Sequence, residues 1–172
     1  MAISGKSGCG NTTVSRLLAE TLGLRFINFT FRNLASEKDI SLKEVLALAA
    51  SDDYWDKEVD SRQVALAREK GGCVLGSRLA IWMLPEADLK VYLEASDETR
   101  ARRILHREGG SLDEIAAFTS HRDRQDHERY LRIYHIDNDD LSQAGLIINV
   151  DTARPREIVA VIIEELKRKR CL

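Results

Sequence analysis

A chain of 172 residues that is 44% hydrophobic and 31% charged is expected to form one globular domain, long enough to bury a core. Its formal net charge of −2 excludes a protein whose main work is gripping a nucleic-acid backbone. The three cysteines, Cys9, Cys73 and Cys171, lack metal-ligand spacing and no apolar run approaches a membrane span, so a cytoplasmic protein with free thiols and no membrane partner is expected.

In chain order, Met1 to Ser4 reads as a first strand, short for one that leads into a glycine loop. It is either curtailed or continued upstream. Thr12 to Leu22 reads as a helix, with Val14, Leu17, Leu18 and Leu22 on one face and Gly23 at its stop. Leu24 to Asn28 is a short second strand. Residues 30–70 are helical in pattern: one helix opens at Phe31, a second follows the capping box Ser41–Glu44, and a third runs from about Asp53 to Gly71-Gly72. Cys73 to Leu75 and Leu89 to Leu93 are strands. Ser96 caps a basic helix, Glu98 to Arg107, and Ser111 with Glu114 opens a long polar helix reaching about Tyr134. Leu146 to Val150 is the last strand, and Pro155 suits the first turn of a final helix. This alternation predicts an α/β domain with a parallel sheet, whose ligands gather at the carboxyl ends of the strands.

The segment between the first strand and first helix, Gly5-Lys6-Ser7-Gly8-Cys9-Gly10-Asn11-Thr12-Thr13, has the spacing of a phosphate-binding loop. Glycines let backbone N–H groups curl around phosphate oxygens, and the following helix aims its N-terminus at the same anion. Thr12 would hold Mg²⁺ through its hydroxyl. Asn11 stands where the pattern has lysine and brings no charge. Lys6 is the nearest substitute: it folds over the phosphates, points into solvent, or acts on a partner chain.

Residues 100–132 hold eight of the eighteen arginines: Arg100, Arg102, Arg103, Arg107, Arg122, Arg124, Arg129 and Arg132. Arginine forks meet phosphate oxygens in bidentate fashion and stay charged. A lid closing over phosphates is one reading; a solvated helix face paired with Asp113, Glu114, Asp123, Asp126 and Glu128 is the other. Trp55 and Trp82 are expected to pack rather than stack on a base, and the four histidines carry no assigned chemistry.

Beyond the loop, the chain resembles cytidylate kinases, in their short archaeal-type form. The likeness is carried by ISGKSGCGNTTVSRLL (residues 3–18), Phe31-Arg32, WDKEVDSRQVAL (55–66), VLGSRLAIWML (74–84), ASDETRARR (95–103) and YHIDNDDL (134–141). It implies a three-layer P-loop fold with a five-stranded parallel sheet. It also implies a core of residues 1–29, 71–105 and 144–172, an acceptor-binding insert at about 30–70 and a lid at about 106–143. The implied reaction is phosphoryl transfer from ATP to CMP or dCMP with Mg²⁺, by a monomer in preference to an oligomer. The implied acceptor residues are Arg32, Arg62, Arg78 and Asp126, with Arg122 and Arg129 from the lid. Two positions depart from the pattern: Asn11, and Leu79, where many bacterial members carry aspartate. A catalytically impaired nucleotide-binding module, or a kinase for another small acceptor, remains the alternative.

Overall fold

The computed structural model describes residues 1–171. Five parallel strands form the sheet: β1 (Ala2–Ser4), β2 (Arg25–Ile27), β3 (Cys73–Gly76), β4 (Lys90–Glu94) and β5 (Leu146–Asn149), in the spatial order β2-β3-β1-β4-β5. β1 lies at the centre, with Ala2 opposite both Leu75 and Lys90. It is as short as the sequence predicts, and all three of its residues are buried. Hydrogen bonds from Leu75 N–H to the Met1 carbonyl and from Ser77 N–H to the Ile3 carbonyl carry the ladder past the start of β1 and the end of β3.

Side chains alternate across the strands, and that alternation makes three layers. Ile3, Val74, Val91 and Leu93 face one side, where α1 (Asn11–Leu22) and α8 (Pro155–Arg168) cover them with Val14, Leu18, Ile158 and Ile162. Ala2, Leu75 and Tyr92 face the other, against Ala67 of α4 (Tyr54–Lys70) and Ile81 of α5 (Ala80–Met83). The single turn α5 was not expected. It lies inside the apolar run 79–84, too short to show a helical period.

Between β2 and β3 the chain makes α2 (Phe31–Glu37), α3 (Leu42–Ala49) and α4. A small core of Phe29, Leu34 and Val59, with Trp55 packed against it, holds this insert together. The Ser41 hydroxyl accepts from Glu44 N–H at the start of α3, and Ser111 does the same for Glu114 at the start of α7 (Leu112–Tyr134). Between them lies α6 (Asp97–Glu108), capped by Ser96. Trp82 sits edge-on to Tyr92 and Trp55 edge-on to Tyr54, so both tryptophans pack.

Candidate active site

The loop after β1 turns through two left-handed glycines, Gly8 (φ 88°) and Gly10 (φ 95°). Gly8 rests directly on α6: a Cβ there would come within 2.9 Å of the Arg100 carbonyl oxygen, so only glycine fits. Gly10 precedes α1 and supplies no side-chain cap. The first N–H groups of the helix are therefore left for an anion.

α6 braces this loop from behind. Arg100, only 2% exposed, donates to the Ser7 carbonyl (3.1 Å) and to the carboxylates of Asp97 and Asp123 (2.6 Å each). Arg103 donates to the Val150 carbonyl (2.5 Å) and reaches the Gly8 carbonyl (3.5 Å). Two of the clustered arginines are thus structural props for the loop. Burial pushes the Cys9 thiol pKa up, which makes this loop cysteine a poor nucleophile.

The Asn11 side chain turns inward. Its Nδ2 donates to the Gly5 carbonyl at 2.5 Å, and its Oδ1 is buried without a partner. What Asn11 offers a phosphate is its backbone N–H, not its amide group. Gly5 itself lies behind the cavity wall, pressed between Asn11 Oδ1 and the Leu93 carbonyl. Lys6 lines the cavity, but its ammonium pairs with Asp139 at 2.9 Å, which holds the Asp139 carboxyl below the usual carboxylate range.

The loop opens onto a cavity of about 790 Å³, whose wall also includes Arg32, Arg78, Arg122 and Arg129. These four come from α2, the segment after β3, and α7. Arg32 is exposed on the first turn of α2. Arg78 and Arg129 share the carboxylate of Asp126, one on each oxygen, and Arg129 also lies 3.3 Å from Asp56. Arg122 differs from both: among the described residues it has no carboxylate within ion-pair distance. Burial, and then the neighbouring Arg78, lower its pKa from the arginine value. A half-buried cation without a counter-ion marks where a ligand's negative charge belongs.

Two expected site residues are placed differently. Arg62 lies outside this cavity; it pairs with Glu37 at 3.0 Å and sits over the Phe29 ring. Asp126 is buried behind the wall with both oxygens engaged by arginines, so here it orients them rather than facing a sugar.

The structure also brings in residues that sequence reasoning did not assign. Asp56, Asp60 and Gln63 of α4 line the cavity opposite the loop. Their spacing, i, i+4 and i+7, with polar residues on a face that packs inward, is the signal that could have found them. Burial pushes the Asp60 carboxyl up to about 6, against the opposing effect of a hydrogen bond from the Tyr134 hydroxyl at 2.7 Å. Burial likewise raises Asp56, opposed by Arg129.

Thr12 is oriented by Asn28, whose Nδ2 donates to its Oγ1 at 3.3 Å. An exposed hydroxyl oxygen at the start of α1 suits a hard cation that takes oxygen ligands and keeps phosphate oxygens and water for the rest.

The model of a cytidylate kinase-like family matches residues 1–152. The chain is 46% identical to cytidylate kinase 2 of Borreliella burgdorferi, over 98% of this chain and 96% of that protein. It is 40% identical to the cytidylate kinase of Pyrococcus horikoshii, over 94% of this chain and 85% of the relative. Among solved structures, shikimate kinase from Bacteroides thetaiotaomicron superposes with a TM-score of 0.66 over 96% of each chain; at 19% identity that likeness speaks for the fold alone.

Proposed function

The chain belongs to the cytidylate kinase-like family, and on that premise we propose that it transfers the γ-phosphoryl group of ATP to CMP or dCMP, giving ADP and CDP or dCDP. One observation carries this reading: a single cavity is lined both by the glycine loop and by Arg32, Arg78, Arg122 and Arg129.

In this reading the ATP phosphates lie in the loop, against the free N–H groups at the start of α1. Thr12 would hold Mg²⁺ through its hydroxyl, and the ion would supply positive charge to offset that of the phosphates. The acceptor lies towards α2 and α4, its phosphate held by Arg32 and Arg78. Its phosphate oxyanion attacks the γ-phosphorus in line, and no general base is needed because the nucleophile is already ionised. Arg122 and Arg129, from a lid of about residues 106–143, meet the charge spreading over the transferring group. Residues 30–70 form the acceptor insert, although the last turns of α4 also pack on the sheet through Ala67. In this reading the protein acts as a monomer on small-molecule nucleotides. The free thiols of Cys9, Cys73 and Cys171 fit a cytoplasmic setting.

A coupled assay of ADP release with CMP, dCMP, UMP and AMP tests this. CMP or dCMP should give the highest kcat/KM, and no ADP release with any acceptor would sink the proposal. Asn11 favours one other reading, a nucleotide-binding module that has lost catalysis. Tight calorimetric binding of ATP beside absent turnover would establish that instead.

A further inference from the structure

α4 turns one face to the cavity. Asp56, Val59, Asp60 and Gln63 lie on it, and α3 contributes Leu42 and Leu46 to the same wall. Leu46, 50% exposed, leaves apolar surface uncovered there. An apolar flank beside a polar edge suits a heteroaromatic ring, which has apolar faces and a hydrogen-bonding rim.

The polar edge is unfinished. Asp56 is 6% exposed and its Oδ2 has no partner; Gln63 is 4% exposed and its Oε1 has none. Their other atoms are engaged. Asp56 Oδ1 faces Arg129, and Gln63 Nε2 donates to Asp60 Oδ1 at 3.2 Å. Asp60 is fixed in turn through Oδ2, which accepts from the Tyr134 hydroxyl. Buried polar atoms in folded proteins are nearly always paired. Two orphan atoms on one helix face, both acceptors, call for a group that donates twice.

We infer that Asp56 and Gln63, with Gln63 held by Asp60, select the acceptor's nucleobase by accepting from its exocyclic amine, and so favour cytosine over uracil. This rests on the reading that the acceptor is a nucleoside monophosphate. The amine of cytosine carries two N–H bonds and so offers donors to a face whose orphan atoms are both acceptors. Uracil places a carbonyl oxygen at the same corner and would leave three acceptors facing one another. A site built to hydrogen-bond a donor rejects an analogue that lacks it far more strongly than an apolar pocket can. Leu79, buried just before α5, has no polar side-chain atom for the task.

The test is the ratio of kcat/KM for CMP to that for UMP, in the wild-type protein and in Asp56→Asn and Gln63→Met. Wild type should favour CMP by at least about 10³-fold, and each variant should cut the ratio by at least about tenfold. The ratio matters because loss of the Asp56–Arg129 pair would slow both substrates alike. Unchanged ratios in both variants would overturn the inference, and Gln63→Met alone decides it if Asp56→Asn does not fold. Calorimetric titration with cytidine and uridine supplies a readout that needs no turnover. Wild type should bind cytidine more tightly, with that preference reduced in the variants; equal binding of the two nucleosides would overturn the inference. If neither monophosphate is phosphorylated, the proposed activity fails, while the nucleoside titration still decides whether Asp56 and Gln63 select the base.

Discussion

On the loop side of the cavity, shape comes from the main chain; on the α4 and α7 side, it comes from side chains that hold one another. The loop owes its course to Gly8 and Gly10 and to arginines that tie its carbonyl oxygens from behind. The opposite wall is a run of paired charges. Arg78 and Arg129 meet on Asp126, Arg129 reaches Asp56, Arg132 clasps Asp53, and Tyr134 donates to Asp60. A site made of backbone N–H groups is indifferent to many side-chain changes, and that is how the loop accommodates Asn11. A site made of side chains has no such latitude. Within it, Arg122, which meets no carboxylate among the described residues, is poised for the ligand.

The largest expected effect follows from that contrast. Arg122→Ala should lower kcat/KM for CMP by about 10²- to 10³-fold, the scale of losing one preorganised charge contact in a transition state. Its thermal stability should be unchanged or slightly higher, because a half-buried cation without a counter-ion is removed. Asn11→Ala should lower kcat/KM by only about tenfold, since the side chain braces Gly5 rather than meeting phosphate. Lys6→Ala should fall between the two: its pair with Asp139 is partly exposed and weak, and is readily exchanged for phosphate. Steady-state kinetics of the three variants would check the order. An Asn11→Ala loss equal to that of Arg122→Ala would break the comparison.

Next in size is the brace itself. Arg100→Met would leave Asp123, whose side chain is largely buried, without its guanidinium, and would free the Ser7 carbonyl. Breaking a buried pair from one side costs about 3 kcal/mol. Urea denaturation should show a loss of that order, together with weaker ATP binding, because the loop loses its prop. Unchanged stability would mean that the loop keeps its shape without α6.

The parts that could be read from sequence are those set by local chemistry. Gly5 and Gly10 at fixed spacing before an apolar-periodic helix marked the loop, and the capping hydroxyls of Ser41 and Ser111 marked helix starts that the structure shows. The strand pattern gave the parallel sheet, although α5 was too short to register. What could not be read was direction. Arg100 and Arg122 are alike in sequence, but the first points at a loop carbonyl and the second lines the cavity. Arg62 and Gln63 are neighbours in a helix, yet one faces Glu37 and the other the cavity. Which neighbour a charged side chain meets depends on elements far along the chain, as Arg100 and Ser7 illustrate, and no local period encodes it.

The smallest expected effect concerns Asp60 and pH. Its carboxyl is pushed up to about 6 in the folded protein, above its value in an unfolded chain of about 3.9. Between these values the folded state holds a proton that the unfolded state has lost, so stability falls as pH rises through this window and levels off above about 6. The full shift corresponds to roughly 3 kcal/mol, and local relaxation on ionisation should leave about half of that. Asp60→Asn cannot ionise and escapes this penalty. Asp56, Tyr134, Arg129 and Arg78 all act on Asp60, but they remain in the variant, so the difference between variant and wild type isolates the carboxyl. Measured by denaturation at pH 4.5 and pH 7, that difference should shift in favour of Asp60→Asn by about 1–2 kcal/mol as pH rises. A difference that stays flat would show that the acidic face of α4 is well enough solvated to ionise freely.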